Sequence, residues 1–440
     1  MLTDAWHALG GDPELPALVT TQGEPGLASV LPVGRLALGA VGAQRLAAEE
    51  LRAVDGRPSP VLLDATHVGV AFRSERFLRL RGVPAGAGFA PLSRFLETAD
   101  GWVRMHANYP HHREAALRAL GDDPVAAVAR RGSLDVEAAV VAAGGVAAAV
   151  RTEQEWAAHP QGAAVRTLPL LSLRRVGDAP SRPRGVEGLR VLDLTRVIAG
   201  PVGTRTLASY GADVLRVDSP CLPEDPAALL DTGPGKRSAH LDLARPADRA
   251  RFAALLAEAD VLVQGYRPGA LAAHGLGADA LADRYPGLVV VTLSAWGSAG
   301  PWAHRRGFDS IVQAASGIAT ATAASDRSPG TLPAQALDHA AGHLVAASVL
   351  RALTESRRQG GTWHAELSLA QLATWLLAAP RPPADVDAAD VRPADADLAR
   401  YLVDLPSPSG TVTLVRPPGS PVWSRGPVPS GHDPARWLPE

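Results

Sequence analysis

The part of this 440-residue chain that follows residue 188 alternates short apolar segments with longer segments of helical pattern. The short segments are apolar nearly throughout, which is typical of parallel strands that are buried on both faces. This alternation predicts an α/β fold, in which a Rossmann-like parallel sheet lies between layers of helices. The predicted strands and helices are, in chain order, 190–194, 200–210, 213–217, 247–258, 261–264, 278–285 and 288–293.

A smaller α+β domain is predicted before this sheet, at residues 86–175. Residues 98–108 alternate in polarity as a strand does after an Asp-Gly turn, and two segments of helical pattern follow. Residues 176–188 are rich in Pro, Gly and charge, and we predict that they link this domain to the sheet domain at 189–375. The other predicted parts are a helix/strand arm at 1–85, a flexible Pro/Asp/Ala loop at 376–398 and a strand with a tail at 399–440.

The composition excludes several classes of function. The 43 basic and 45 acidic residues nearly balance, and no run of like charge suggests binding to nucleic acid or to a membrane surface. The single cysteine, Cys221, excludes an internal disulfide and a cysteine-rich metal site. The first residues lack the pattern of a signal peptide, and no apolar stretch reaches the roughly 20 residues of a membrane span. We therefore expect a soluble, cytoplasmic protein.

One acidic residue, Asp338, stands at the start of a long apolar helical pattern that runs on to residue 353. Pro333 disfavours helix upstream of it, so Asp338 is placed in the first turn. A carboxylate at this point has two ordinary uses. It can cap the helix by accepting backbone N–H bonds, which is the commoner case, or it can serve as a nucleophile near the positive end of the helix dipole.

The first predicted strand, helix and strand read VLDLTRVIAGPVGTRTLASYGADVLRVD at 191–218, without the glycine pattern of a dinucleotide-binding turn. This segment resembles the opening of the class III CoA-transferases, the family of the carnitine, formyl-CoA and bile-acid CoA-transferases (CaiB/BaiF type). Further segments resemble that family in the same order. They are GKRSAHLDL at 235–243, ADVLVQGYRPGALAAHGLG at 259–277, LVVVTLSAWGSAGPW at 288–302, GFDSIVQAASGIA at 307–319 and PAQALDHAAGHLVAASVLRAL at 333–353.

The resemblance implies an activity and a nucleophile. The acid that matches the family's nucleophile is Asp338, which would attack an acyl-CoA and carry CoA as an aspartyl thioester to a carboxylic acid acceptor. No metal or redox cofactor is implied, because the CoA thioester is itself the substrate. Because relatives form intertwined dimers, the resemblance also implies a homodimer.

The resemblance further implies a basic groove for CoA. Lys236, the only lysine of the chain, and Arg237 precede a segment that resembles the family's adenine-side loop. Arg306 matches a position at which relatives carry a basic CoA contact. Arg216 and Arg267 are further candidates, since each ends a predicted strand, where open α/β sheets bind ligands.

Three positions depart from the family. Ile198 stands where a transferase relative has a glutamine near the reacting carbonyl, and Ala273 stands where an arginine is expected. Phe308 replaces the general-base histidine of the racemase branch, and an apolar ring cannot move a proton. Two alternatives to a transferase therefore stay open: an acyl-CoA isomerase or racemase, which Phe308 disfavours, and a non-catalytic CoA-binding partner subunit.

The N-terminal 185 residues resemble the family more loosely. Residues 98–121 and 150–165 resemble the small domain, which in relatives follows the catalytic half. Residues 31–51 resemble a second copy of the nucleophile helix, with Ala37 in the place of the acid. We therefore predict a fused or permuted arrangement, which requires residues 90–170 to contact the Asp338 cleft. His111 and His112 have no third metal ligand at suitable spacing, so we expect them to be exposed histidines at a helix start.

Overall fold

The computed structural model describes residues 1–53, 56–86, 88–181, 185–324, 328–382 and 395–439. Its helices are α1 Leu2–Ala8, α2 Val33–Ala53, α3 Ala65–Ala71, α4 Ser74–Phe77, α5 Pro110–Leu120, α6 Pro124–Ala129, α7 Ser133–Ala142, α8 Glu153–Ala158, α9 Pro160–Arg166, α10 Ala199–Ser209, α11 Pro226–Thr232, α12 Pro246–Glu258, α13 Ala278–Arg284, α14 Asp309–Ser316, α15 Ile318–Ala321, α16 Ala336–Gln359, α17 Leu369–Ala378 and α18 Asp395–Ala399. Its strands are β1 Val19–Gln22, β2 Val61–Asp64, β3 Arg79–Leu80, β4 Val83–Pro84, β5 Phe95–Glu97, β6 Trp102–Met105, β7 Ala147–Ala149, β8 Leu171–Gly177, β9 Arg190–Leu194, β10 Asp213–Asp218, β11 Lys236–His240, β12 Val261–Gln264, β13 Val289–Ser294, β14 Thr362–Ser368, β15 Leu402–Leu405 and β16 Val412–Val415.

The largest sheet has seven strands in the order β11-β10-β9-β12-β13-β14-β8. Six of them are parallel, and β8 is antiparallel to β14 at one edge. The α/β fold with a Rossmann-like parallel sheet is therefore confirmed. The strand order reverses between β9 and β12, because the chain builds outward from β9 in one direction and from β12 in the other. The carboxyl ends of strands at such a reversal form a crevice in which open α/β sheets bind ligands.

The smaller α+β domain is also present, with one difference at its end. The antiparallel strands β5, β6 and β7 form a three-stranded sheet, and its apolar core includes residues of α5 and α7. The prediction placed residues 171–175 in this domain and began the linker at 176. Instead, β8 at Leu171–Gly177 pairs with β14 of the large sheet, so the predicted boundary cuts through a strand.

Residues 19–71 have an arrangement that is found again at residues 289–378. In the first copy β1 and β2 are parallel, α2 lies between them in sequence, and Asp64 caps α3. In the second copy β13 and β14 are parallel, α16 precedes β14, and Ser368 caps α17. Helices α2 and α16 pack against each other along their buried faces.

The arm and the C-terminal segment form one structure. Strands β3 and β4 of the arm join β15 and β16 in a four-stranded sheet. The chain after β16 then runs back over the large domain, where the indole N–H of Trp423 donates to the Arg205 carbonyl and that of Trp437 donates to the Leu255 carbonyl. No helix among the described residues has both the length and the apolar character that crossing a membrane requires.

Candidate active site

A cavity of about 300 Å³ opens at the carboxyl ends of the parallel strands, at the point where the strand order reverses. The residues that follow β9, β12, β13 and β14 all contribute to its wall, as do residues of the smaller domain. The residues that line it include Tyr109, His111, His112, Thr195, Arg196, Val197, Arg267, Ser294, Arg305, Arg306, Phe308 and Asp338. The fold therefore places the predicted nucleophile at the site where this class of sheet binds ligands.

Asp338 lies in the first turn of α16, with 6% of its surface exposed. It does not cap the helix. Asp309, at the start of α14, accepts the backbone N–H groups of Leu337 and Asp338 at 2.9 and 3.0 Å through one carboxylate oxygen. Among the described residues, no side chain or backbone group donates a hydrogen bond to the Asp338 carboxylate. The cap is thus supplied by another helix, and the carboxylate of Asp338 is left free at the cavity.

The surroundings of Asp338 favour its uncharged form. Burial raises the pKa of Asp338 well above its usual range, and the negative charges of Asp309 and Glu75 raise it further. Burial likewise raises the pKa of Asp309 to about 6, although the hydrogen bonds from Gln313 and from the start of α16 lower it. A carboxylate that forms here is poorly hydrated, and weak hydration leaves an anion more reactive toward an electrophile.

Four arginines line the cavity, and they fall into two kinds. Arg196 is held by Glu224 and Arg305 by Glu137, at 3.2 and 3.1 Å. Arg267 and Arg306 donate only to the backbone carbonyls of His304 and Gly144, and within the described ranges neither pairs with a carboxylate. Burial lowers the pKa of Arg306, and the positive charge of Arg267 lowers it further. Two uncompensated cations at the wall of one cavity are suited to an anionic ligand.

Two of the five cations predicted to bind CoA thus lie at the cavity, namely Arg267 and Arg306. The other three do not, and each is held inside the protein. Lys236 is 2% exposed and donates to Asp193, Thr204 and the Pro201 carbonyl at 2.6–2.9 Å.

Arg216 pairs with Asp218 at 2.8 Å, and Arg237 forms two hydrogen bonds to Asp213 at 2.8–2.9 Å. These three cations lie away from the cavity for one physical reason. All three cations lie on the strands β10 and β11, whose side chains are buried beneath helices or the C-terminal segment, so each is neutralised by a carboxylate of the same sheet.

The smaller domain contributes Tyr109, His111 and His112 to the cavity wall. The contact that the fused or permuted arrangement requires is therefore present. The prediction that both histidines are exposed is wrong, because His112 is only 3% exposed and His111 is half-buried. Its ring contacts His111 at 4.2 Å and Phe308 at 5.7 Å between centroids, both edge-on. Contact with Phe308, which lies far away in the sequence, helps to bury it and arises only in the folded chain.

The turn between β9 and α10 is strained. Val197 has φ of +68°, a conformation that β-branched residues rarely adopt, and its N–H donates to Glu224. Three residues later Gly200 packs so closely that a Cβ there would lie 2.4 Å from Thr195. This turn brings the N-terminus of α10 to the cavity. The sequence analysis did not name Arg196 as a candidate. Its position shortly after the buried strand β9 could have indicated it, just as the position of Arg267 after β12 did.

The three departures from the family lie in different places. Phe308 lines the cavity, and the ring of His106 stacks on it at 3.7 Å. Ile198 is the residue before α10 and carries no polar group to the wall. The side chain of Ala273 lies outside the described part of the structure.

A sequence profile of CoA-transferase family III matches residues 186–396, which contain the parallel sheet, the cavity turns and Asp338. Over these residues the chain matches CoA-transferase family III. The class III assignment made from the sequence segments is therefore confirmed.

Several relatives carry names from the same class. The chain is 37% identical over 207 residues to an acetyl-coenzyme A transferase of Hypoxylon pulicicidum, covering 46% of this chain and 35% of that protein. It is 33% identical over 212 residues to a probable fatty acyl-CoA transferase of Mycobacterium tuberculosis, covering 45% and 53%. It is 30% identical over 219 residues to a succinate–glutarate CoA-transferase of Agrobacterium fabrum, covering 46% and 55%. The chain thus spans about half, or less, of the length of these family III relatives.

Among solved structures, a CAIB/BAIF family protein of Brucella suis is 30% identical, with a TM-score of 0.41 over 44% of this chain and 55% of that one. A structure of a Mycobacterium tuberculosis protein is 33% identical, also with a TM-score of 0.41, over 46% and 58%.

Proposed function

We propose that this protein is a CoA-transferase that moves CoA from an acyl-CoA donor to a carboxylic acid, with Asp338 as the covalent carrier. One observation carries the proposal. The carboxylate of Asp338 is buried at the cavity and has no hydrogen-bond donor in the described part of the chain, while Asp309 supplies the cap that its helix needs. A carboxylate that has no structural partner and faces a cavity with two unpaired cations is a candidate nucleophile.

The proposed reaction is a series of exchanges at one carboxylate. An oxygen of Asp338 attacks the thioester carbonyl carbon, a C–O bond forms, the C–S bond breaks, and CoA leaves as a thiolate. The thiolate attacks the Asp338 carbonyl carbon of the mixed anhydride, which releases the donor's carboxylate and leaves an aspartyl-CoA thioester. The acceptor carboxylate repeats these steps in reverse and regenerates Asp338. Each intermediate is an activated acyl group, so one difficult transfer becomes several easier ones.

The residues of the cavity have separate parts in this scheme. Arg267 and Arg306 would hold the phosphates of CoA, since guanidinium groups bind phosphate oxygens in pairs. The apolar surroundings of Asp338 would keep water from the anhydride and the thioester, both of which hydrolyse. In this scheme the predicted substrates are an acyl-CoA and a carboxylic acid, and no metal or redox cofactor takes part. The homodimer and the cytoplasmic location stay predictions.

The test is intact-protein mass spectrometry after incubation with acetyl-, octanoyl-, succinyl- and benzoyl-CoA, followed by hydroxylamine. Wild type should gain the mass of CoA or of an acyl group, and hydroxylamine should convert the labelled residue, Asp338, to a hydroxamate. Asp338→Asn should gain neither. Asp178→Asn is the matched control, because the Asp178 side chain is 98% exposed and lies outside the cavity.

The alternatives give different results. A non-catalytic CoA-binding subunit would bind CoA with no label on wild type or on Asp338→Asn. An isomerase or racemase would exchange the α-proton of a branched acyl-CoA for deuterium in heavy water without labelling Asp338. Phe308 at the cavity wall still disfavours that second outcome, because its ring carries no group that accepts a proton.

A further inference from the structure

The reaction proposed above, on which this inference rests, develops negative charge on the acyl carbonyl oxygen when Asp338 attacks. Active sites that carry out acyl transfer stabilise this charge with hydrogen-bond donors that are fixed in place and shielded from water. The apolar side chain of Ile198, in the turn before α10, supplies no such donor. A side-chain donor must therefore come from another part of the cavity wall.

Most polar side chains of the wall already have partners. The Tyr109 hydroxyl donates to Glu224, and the Thr195 hydroxyl donates to Asp193. Ser294 accepts the backbone N–H of Gly297. Arg196 and Arg305 are held by carboxylates, as described above. The Ser294 hydroxyl can still donate while it accepts the bond from Gly297. The other groups cannot turn to a substrate without leaving a buried partner unsatisfied, which costs about 1–3 kcal/mol for a neutral group and more for a charged one.

His112 is different. It lies in the first turn of α5, in the smaller domain, and it lines the cavity together with Asp338. Neither of its ring nitrogens has a hydrogen-bond partner within the described ranges, and both are shielded from water. Apart from Asp338, it is the one polar side chain among the described lining residues that is more than nine-tenths buried and unpartnered. Burial of a polar group without a partner is unfavourable, so an unpartnered imidazole at a cavity calls for an explanation, and a ligand that accepts its hydrogen bond is one.

The ring carries a donor at neutral pH. Burial lowers the pKa of His112 to about 3, and the nearby charges of His111, His106, Arg306 and Arg196 lower it further. An uncharged imidazole has one N–H donor and one acceptor nitrogen. The torsion that turns the ring has a broad, roughly twofold preference, so either nitrogen can be presented to the cavity.

We infer that His112 is a further catalytic residue of this site, and that it donates a hydrogen bond to the acyl carbonyl oxygen of the substrate as Asp338 attacks. No proton is transferred in this step. The C–O bond to Asp338 forms, the electron pair of the C=O bond moves to the oxygen, and the His112 N–H stabilises that oxygen until the C–S bond breaks. The smaller domain thereby supplies a catalytic group to a cavity formed mainly by the large sheet domain.

Two substitutions and one control test this role. His112→Phe keeps a planar ring of similar size and removes both nitrogens, whereas His112→Gln keeps an N–H donor. His7→Gln is the control, because His7 is exposed on α1 and lies outside the cavity. All variants are first compared by circular dichroism and thermal unfolding, so that only folded proteins enter the assay.

The first readout is the rate at which Asp338 is labelled by the same panel of acyl-CoAs. His112→Phe should lower the maximal rate by roughly 10²-fold, the usual effect of removing one such donor, with little change in the concentration that gives half-maximal rate. His112→Gln should recover part of the loss, and His7→Gln should match wild type. Equal labelling rates in wild type and His112→Phe would overturn the inference while leaving the proposed transferase intact.

The second readout does not depend on turnover. S-acetonyl-CoA places a ketone close to the position of the thioester carbonyl and cannot transfer its acyl group. The infrared stretching frequency of its bound carbonyl should be lower in wild type and in His7→Gln than in His112→Phe, because a hydrogen bond weakens the C=O bond. If wild type is never labelled, the proposed transferase fails; a carbonyl frequency that is the same in wild type and His112→Phe excludes the contact with His112.

Discussion

Whether Asp338 caps its helix, a question that the sequence left open, is decided by a residue 29 positions away. Asp309 accepts the N–H groups of Leu337 and Asp338, the two donors that a capping side chain at position 335 would have taken. Within the described residues Asp338 is therefore a buried acid without a structural partner, and such groups reduce stability in exchange for reactivity.

The first prediction concerns the stability of Asp338→Asn. Because the pKa of Asp338 is raised in the folded protein, its contribution to stability is full below the unfolded value of about 3.9 and is lost as the pH rises through the folded value. We therefore expect Asp338→Asn to have a larger free energy of unfolding than wild type at pH 8. Urea unfolding at pH 5 and pH 8 measures this, and a difference that does not grow with pH would contradict it.

Lys236 was predicted to bind CoA, but its contacts are those of a structural residue. The only lysine of the chain lies in the core against Asp193, and burial lowers its pKa to about 8 although Asp193 opposes this shift. Its compact ammonium reaches three acceptors at once, a geometry that the planar guanidinium of arginine does not reproduce. This accounts for a lysine in a chain whose other fixed cations are arginines.

The second prediction is that Lys236→Met lowers the free energy of unfolding by about 3–5 kcal/mol, because it leaves the Asp193 charge buried and unpaired. Denaturant unfolding measures this loss. The folded fraction should bind CoA with unchanged affinity, whereas Arg267→Ala should weaken binding and leave stability nearly unchanged. Calorimetric titration with CoA separates the two, and a loss of affinity in folded Lys236→Met would restore its predicted role as a ligand residue.

At the scale of elements, α16 depends on α14 for its start. The residue before α16, Gln335, makes no side-chain cap, and the carboxylate of Asp309 replaces it. The same carboxylate raises the pKa of Asp338. One residue thus both anchors α16 and helps to raise the pKa of the proposed nucleophile.

The third prediction separates these two effects. Asp309→Ala removes the cap and should lower the free energy of unfolding by about 1–2 kcal/mol. Asp309→Asn keeps an oxygen acceptor but removes the negative charge, so the pKa of Asp338 should fall. The pH profile of Asp338 labelling should then shift to lower pH in Asp309→Asn. A profile identical to that of wild type would show that Asp309 acts on Asp338 only through the backbone.

Most elements of the large sheet were predictable because their strands are apolar nearly throughout, which indicates burial on both faces. The predicted strands at 190–194 and 261–264 coincide with β9 and β12. Strands β8 and β14 were missed. Both mix apolar residues with charged or polar ones, as in LSLRRVG and TWHAELS, and they pair with each other toward the edge of the sheet. A strand near an edge takes its stability from pairing, which no local pattern reveals.

At the scale of the whole molecule, the N-terminal arm is joined to the large sheet domain through a buried ion pair. Arg351 of α16 contacts Glu50 of α2 at 2.5 Å, and it also donates to the Gly10 carbonyl after α1. The guanidinium lies 5.5 Å from the centre of the Trp6 ring. Three helices that are distant in sequence therefore converge on one cation.

The fourth prediction is that Arg351→Met lowers the free energy of unfolding by about 3–5 kcal/mol, since Glu50 stays buried without its main partner. Arg358 is the matched control. It contacts the same carboxylate at 3.2 Å, but its side chain is 50% exposed, so Arg358→Met should cost less than about 1 kcal/mol. Urea unfolding of both variants measures the difference, and equal losses would mean that the inner ion pair does not join the two parts.

The sequence alone determined the class of fold, the family and the position of the acid in its helix. These rest on local patterns: apolar strands, helix starts and ordered segments that survive without their surroundings. Tertiary structure decided which groups reach the cavity. In the folded chain Arg216, Lys236 and Arg237 form ion pairs away from the cavity. Asp309 caps α16, and His112 is buried beside Phe308. The physical reason is that the charge and exposure of a side chain depend on neighbours from distant parts of the chain, which meet only on folding.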